Sequence, residues 1–255
     1  MSERERVDVL LVLRGLARSR QNAQALILAG KVYSGDTRIE KAGHRMPVDT
    51  PLAVRGGLRY ASRGGLKLEA VLDHFGIDPA GRRCLDVGAS TGGFTDCLLQ
   101  RGADRVHAVD VGYGQLAWKL RNHPRVVVHD RMNFRKAGPG DLPSDVDLAV
   151  VDVSFISLRH ILPNLSRFLR PGGEAVLLVK PQFEAGREKV GKGGIVRDDH
   201  VRLETLEAIL GESIRYGFSV LGTMECPVRG ADGNVEYFAY LNKGDGEAEG
   251  EEGVD

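Results

Sequence analysis

Arg83-Cys84-Leu85-Asp86-Val87-Gly88-Ala89-Ser90-Thr91-Gly92-Gly93-Phe94-Thr95 is the stretch whose reading decides the fold. The short apolar run before Gly88 predicts a strand, and the residues from Gly92 to Arg101 predict a helix after a glycine turn. Glycines there let a ligand approach the backbone, and a helix N-terminus presents free N–H groups. A dinucleotide dehydrogenase would carry Gly-x-Gly-x-x-Gly to hold a pyrophosphate. This chain carries Gly-x-Ser-x-Gly-Gly-Phe, with Asp86 two residues before the first glycine. A carboxylate in that place repels pyrophosphate and suits the ammonium of a methionine moiety. Asp86, Gly88, Ala89, Ser90, Gly92, Gly93, Phe94 and Thr95 are thus candidate cofactor residues.

Downstream, strand-like and helix-like stretches alternate. Strands are expected at 106–110, 126–128, 146–151 and 175–179, with helices at 115–121, 158–169 and 201–216. Asp110 ends the second strand 22 residues beyond Gly88, where a carboxylate can take both ribose hydroxyls. Asp130 ends the third, where it can accept from an adenine amino group. Two final strands, 220–225 and 235–240, have no helix between them and imply an antiparallel edge hairpin. The fold class is α/β, a doubly wound and mainly parallel sheet with the ending that Rossmann-like nucleotide methyltransferases show.

Upstream lies a different composition. Residues 1–60 hold eleven Lys or Arg against six acids, whereas the whole chain is neutral. A basic head on a neutral body points to a polyanionic partner. Apolar positions from Val7 to Leu16 suit a short helix, Ser19 can cap a second helix ending at Gly30, and Val32 to Ile39 reads as a tight hairpin, followed by a strand at 52–54. The expected division is a small α+β domain at 1–55, a glycine-bracketed linker at 56–63, a catalytic domain at 64–242 and an acidic, disordered tail at 243–255.

Bulk properties exclude several classes. At 255 residues, 42% hydrophobic and 27% charged, the chain is long enough for a small domain plus a medium one. No apolar run approaches a membrane span of about 20 residues, and the acids before Val9 argue against a signal peptide. A cytoplasmic location is expected. Three scattered cysteines and seven histidines show no metal-ligand spacing, so no metal is expected.

Arg4, Arg6 and the run Ala17-Arg18-Ser19-Arg20 through Gly30-Lys31-Val32 resemble the S4-type RNA-binding domain over residues 4 to about 54. The resemblance implies that Arg4, Arg6, Arg18, Arg20, Lys31 and Lys41 contact RNA phosphates, which supplies affinity with little sequence reading. S4-like modules also occur in pseudouridine synthases and tRNA synthetases, so the reaction is left open by this half.

The other half is more specific. Ser62-Arg-Gly-Gly-Leu-Lys67-Leu, Asp110-Val-Gly-Tyr-Gly-Gln-Leu, Asp152-Val-Ser-Phe-Ile-Ser-Leu, Leu178-Val-Lys180-Pro-Gln-Phe-Glu and Gly233-Asn-Val-Glu236-Tyr, with the glycine turn, resemble the TlyA family segment by segment. The resemblance covers nearly the whole chain except the acidic tail. It implies an enzyme that uses S-adenosylmethionine to methylate cytidine 2′-hydroxyls in ribosomal RNA. It also implies a Lys-Asp-Lys-Glu set, Lys67, Asp152, Lys180 and Glu236, shared with the heat-shock 23S rRNA methyltransferases; Asp152 would also sit near the sulfonium. Ribosomal RNA or a ribosomal subunit is the implied partner, with a monomeric chain, no protein partner and no membrane.

The chemistry accounts for these residue types. A ribose hydroxyl is a poor nucleophile, while a sulfonium methyl is already activated, so the enzyme must align the atoms and remove one proton. Lys180 either takes that proton or stabilises the developing alkoxide; Asp152 would fix Lys180, and Lys67 and Glu236 would hold the target ribose. Gly186 to Lys192 matches the first part of a Walker A loop, but Gly193 stands where Ser or Thr should bind Mg²⁺. Residues 185–197 are read instead as a mobile Gly/Lys loop over the RNA groove. The rival classes are a membrane-active hemolysin, which lacks an amphipathic or apolar segment, and a non-catalytic rRNA-binding assembly factor.

Overall fold

The computed structural model describes residues 4–54, 56, 59–230 and 233–244. Gly57 of the expected linker and most of the expected acidic tail lie outside the described residues. The chain divides into two compact units, Met1–Arg59 with Ala117–Lys119, and Tyr60–Leu116 with Leu120–Asp255.

In the first unit, β1 (Arg4–Arg6) leads into α1 (Val7–Leu13) and α2 (Arg20–Leu28), followed by β2 (Val32–Ser34), β3 (Thr37–Arg38), β4 (Arg45–Pro47) and β5 (Ala53–Val54). Ser19 caps α2, accepting from the Asn22 amide at 3.1 Å. Val7, Leu11, Ala23, Ile27 and Val32 form a small core. The hairpin expected at 32–39 is present as β2 and β3, with β5 on the other side of β2. The pairing of β1 with β4 was not anticipated from sequence. Arg4-Glu5-Arg6 is charged throughout and shows no alternation to read.

The second unit contains α3 (Gly64–Phe75), β6 (Arg83–Val87), α4 (Gly93–Gln100), β7 (Arg105–Val109), the second half of α5 (Trp118–Arg121) and β8 (Val126–His129). It continues with β9 (Val146–Val151), α6 (Leu162–Phe168), β10 (Leu169–Val179), α7 (Pro181–Glu184), α8 (Asp199–Arg215), β11 (Phe218–Glu225) and β12 (Tyr237–Lys243). The sheet order is β11-β12-β10-β9-β6-β7-β8. The five strands from β10 to β8 are parallel to one another, and β12 and β11 run antiparallel at one edge. This is the doubly wound sheet with an edge hairpin that the alternation predicted.

Three local expectations are corrected. The helix expected at 115–121 shrinks to α5, a single turn. The helix expected at 158–169 is a 3₁₀ turn followed by α6, which starts with Pro163 in its first turn, and β10 begins already at Leu169. Residues 60–63, expected as linker, pack into this unit. Tyr60 is buried against Gly65, where a Cβ would strike its ring, and the Ala61 amide donates to Asp96 at 2.7 Å. The paired glycines that read as a linker boundary instead open α3. Only a residue without a side chain leaves room for that tyrosine.

Candidate active site

Parallel strands open their carboxyl ends onto one edge, and a crevice forms where the strand order reverses. Here the reversal falls between β6 and β9. Gly88 follows β6, Asp110 follows β7, Asp152 follows β9 and Lys180 follows β10. Because β12 is antiparallel, its start lies at the same edge, with Tyr237 opposite Val179 and Glu236 immediately before it. Topology thus gathers residues that are far apart in the chain.

A cavity of about 370 Å³ opens there, within the usual size of small-molecule sites. Its lining includes Gly88, Ser90, Asp110, Met132, Phe134 and Asp152. The Asp110 carboxylate accepts the Ser90 amide at 2.8 Å on one oxygen and the Gly112 amide at 2.7 Å on the other. Each oxygen keeps a lone pair for a further donor. Ser90 is held by this bond in the left-handed region, at φ +47°, a conformation that serine adopts rarely.

Gly88 and Ser90 of the glycine turn line this cavity, and the rest of the turn lies behind it. Neither Asp86 nor Ala89, Gly92, Gly93, Phe94 and Thr95 is among the lining residues. A Cβ on Gly88 would strike the Asp152 carbonyl oxygen, one on Gly92 would strike Leu120, and one on Gly93 would strike the Ser62 hydroxyl. These glycines let segments of the protein approach one another closely, and Gly88 lines the cavity as well. Asp86 is fully buried; the Thr95 hydroxyl donates to its Oδ2 at 2.6 Å, and its Oδ1 has no partner. Burial pushes this carboxyl up to about 7. Asp130 pairs with Arg121, which holds its carboxyl below the usual range, and it does not line the cavity. Met132, Asn133 and Phe134, a few residues further on, do. Nothing in their chemistry marked them in the sequence.

The four residues implied by resemblance form two ion pairs. Lys180 Nζ lies 2.6 Å from Asp152 Oδ1 and donates to Ser154 Oγ at 2.9 Å. Lys67 Nζ lies 2.5 Å from Glu236 Oε2, and the Gln182 amide donates to the other oxygen of Glu236 at 3.5 Å. Lys67, Lys180 and Glu236 are buried, while Asp152 reaches the cavity. Phe155, which the sequence did not single out as functional, lines the cavity wall with 91% of its surface exposed and a φ of +64°. Its ring lies 5.0 Å from that of Phe183, whose other neighbour is Lys180 Nζ at 5.9 Å. A strained, exposed phenylalanine is costly to keep and marks a site where the strain serves something.

In the first unit Arg18, Arg20, Lys31 and Lys41 are exposed, as is Arg4, which donates to the Arg45 carbonyl at 2.7 Å. Lys31 donates to the Gly56 carbonyl at 3.2 Å. Arg6 and Arg20 both pair with Asp8. The segment 185–197, expected as a mobile loop, is tied down by the buried Asn234. Its amide donates to the Gly194 carbonyl at 2.8 Å, and its oxygen accepts the Val196 amide at 3.0 Å. Among the described residues, no helix is long and apolar enough to cross a membrane.

The sheet order, the edge hairpin and the crevice at the reversal define a Rossmann-like methyltransferase. A solved S-adenosylmethionine-dependent methyltransferase from Listeria monocytogenes shares this fold, with a TM-score of 0.53 over 70% of this chain and 98% of that one, at 15% identity. Residues 60–243 match the FtsJ-like methyltransferase family and residues 5–49 the S4 domain. The chain belongs to the TlyA branch of the FtsJ-like methyltransferases. It is 49% identical to the 16S/23S rRNA (cytidine-2′-O)-methyltransferase TlyA of Mycobacterium tuberculosis, over 94% of this chain and 91% of that one. It is 41% identical to Hemolysin A of Brachyspira hyodysenteriae, over 92% and 99%. A solved structure from Streptococcus thermophilus that carries the hemolysin name matches 97% of this chain and 91% of its own, with a TM-score of 0.72 at 46% identity.

Proposed function

We propose that this protein transfers a methyl group from S-adenosylmethionine to a cytidine 2′-hydroxyl of ribosomal RNA, acting as a single chain in the cytoplasm. The observation that carries the reading is the Lys180–Asp152 pair, 2.6 Å apart at the rim of a cavity at the topological switch point. Relatives named for this activity match the chain almost end to end.

The residues present suit the cofactor. Asp110 has acceptor capacity left for ribose hydroxyls, Asp86 keeps a buried oxygen without a partner, and the cavity walls are partly apolar. When bound, S-adenosylmethionine supplies a methyl group already activated on a sulfonium. What remains for the protein is alignment and charge. Lys180, held by Asp152 and Ser154, orients the hydroxyl and either takes its proton or stabilises the oxygen while that proton passes to water. Lys67 and Glu236 brace the ribose from the adjoining pair, and Phe155 offers an exposed ring on which the target base stacks. The basic residues of the first unit hold the RNA backbone, which sets register without reading bases.

The test is methyl transfer from labelled cofactor to ribosomal subunits taken from cells lacking the gene, with the modified nucleotide mapped as a 2′-O-methyl group. Wild type should label a cytidine, and Lys180→Ala should lose labelling while still binding cofactor by calorimetry. Labelling by Lys180→Ala at the wild-type rate would remove that residue from the chemistry. Labelling on a base rather than a ribose would overturn the reaction.

A further inference from the structure

Among the described residues, Asp8 is the buried charged side chain of the first unit, and the proposed function leaves it unused. It sits at the start of α1 with no exposed surface, directly behind the arginine cluster. Four donors converge on it. Arg6 grips it in a fork, Nε to Oδ1 and Nη2 to Oδ2, both at 2.9 Å. Arg20 Nη2 reaches Oδ2 at 3.3 Å and the Gln24 amide reaches the same oxygen at 2.9 Å. The arginine fork lowers the Asp8 carboxyl below its usual range.

We propose that Asp8 is a positioning residue that presents Arg6 and Arg20 together as a clamp for one RNA backbone phosphate, a proposal that rests on the reading of the first unit as the RNA grip. The two Nη2 atoms share one carboxylate oxygen, so they can lie no further apart than the sum of their distances to it. A guanidinium has five N–H donors. Arg6 spends two on Asp8 and Arg20 one, and their side chains remain 38% and 58% exposed. The donors left over belong to guanidiniums already fixed in place. Two long side chains that are already ordered lose less entropy when a phosphate arrives. Gly43 lies against the same guanidinium: a Cβ there would come within 3.2 Å of Arg6 Nη1 and displace it by a few tenths of an ångström.

Charge alone makes the opposite forecast. Removing the negative Asp8 leaves the unit one charge more positive, and simple electrostatics says that RNA should bind more tightly. The experiment measures binding of the full chain to purified ribosomal subunits across a salt series, for wild type, Asp8→Asn, Gly43→Ala, Arg6→Ala and Arg20→Ala. Positioning predicts that Asp8→Asn weakens binding about tenfold, the cost of ordering two freed arginines, with an unchanged salt slope because no cation has been removed. Gly43→Ala keeps every charge and should weaken binding in the same direction, which covers the case in which Asp8→Asn fails to fold. Arg6→Ala and Arg20→Ala should each weaken binding and lower the salt slope by less than one, and the double variant should lower it by about one, the count for a single phosphate. If Asp8→Asn and Gly43→Ala bind as tightly as wild type, or tighter, while the arginine variants weaken, the positioning role is wrong and the RNA grip stands. If the arginine variants also bind normally, the grip itself is wrong.

Discussion

Asp8 in the first unit and Glu236 in the second are both acids sunk beneath basic side chains, but the basic partners differ. Arg6 and Arg20 keep 38% and 58% of their side-chain surface exposed over Asp8, whereas Lys67 goes under with Glu236, the two side chains only 11% and 3% exposed. A planar guanidinium can spend part of its donor set on a buried acid and offer the rest outward. A lysine has one nitrogen, and once buried it acts only on what enters the site, where weak screening strengthens its field. The first arrangement suits gripping a polyanion, and the second suits holding a reacting group.

The largest effect that would sharpen this contrast lies at Lys180. Its replacement by alanine should lower methyl transfer about 10³-fold, the scale of a lost proton-handling or charge-stabilising group, whereas no single arginine of the first unit should cost as much under saturating RNA. A comparable loss from Arg20→Ala in saturating RNA would break the division between grip and chemistry. Next comes Lys67→Met, which leaves Glu236 buried without its cation. Calorimetric unfolding should show a destabilisation of about 3–5 kcal/mol, largely recovered when Glu236→Gln is added. A loss no greater than that of a surface pair would mean that the burial is not felt.

Asp86 tests the glycine turn through pH. Burial raises its carboxyl to about 7, so the folded chain holds this proton more firmly than the unfolded chain, whose carboxyl titrates near 3.9. Its contribution to stability is therefore complete below about pH 4, declines as pH rises toward 7 and is flat above. Without cofactor, the melting temperature of Asp86→Asn relative to wild type should rise between pH 5 and pH 8; a constant difference would show that Asp86 is ionised throughout. The smallest effect is expected at Phe155, where alanine should raise KM for RNA about tenfold, the value of one stacked base, and leave cofactor affinity alone. An unchanged KM would remove the stacking role.

Much of the second unit was legible because short apolar strands between amphipathic helices repeat along the chain, and burial on both faces writes itself into composition. The edge hairpin was legible from the absence of a helix between its strands. Helix α3 was not, since Gly64 and Gly65 read as a boundary, whereas Gly65 leaves room for the buried Tyr60 ring, a packing contact that the residue types alone do not announce. The cavity residues Met132 and Phe134 were equally silent, being ordinary apolar residues until placed. The pairing of Asp130 with Arg121 was not legible either, because it depends on where the single turn of α5 places that arginine.

The residue types that matter, the glycine turn, the two lysines, the acids and the basic head, are properties of the chain and could be read from it together with the parallel sheet they imply. The pairing of Asp152 with Lys180 was among those readings, but that of Lys67 with Glu236 was not. Lys67 and Glu236 are 169 residues apart and meet because β12 runs antiparallel and begins at the edge where the parallel strands end. Partner choice among charges depends on distance and burial, and those quantities exist only after the chain has folded.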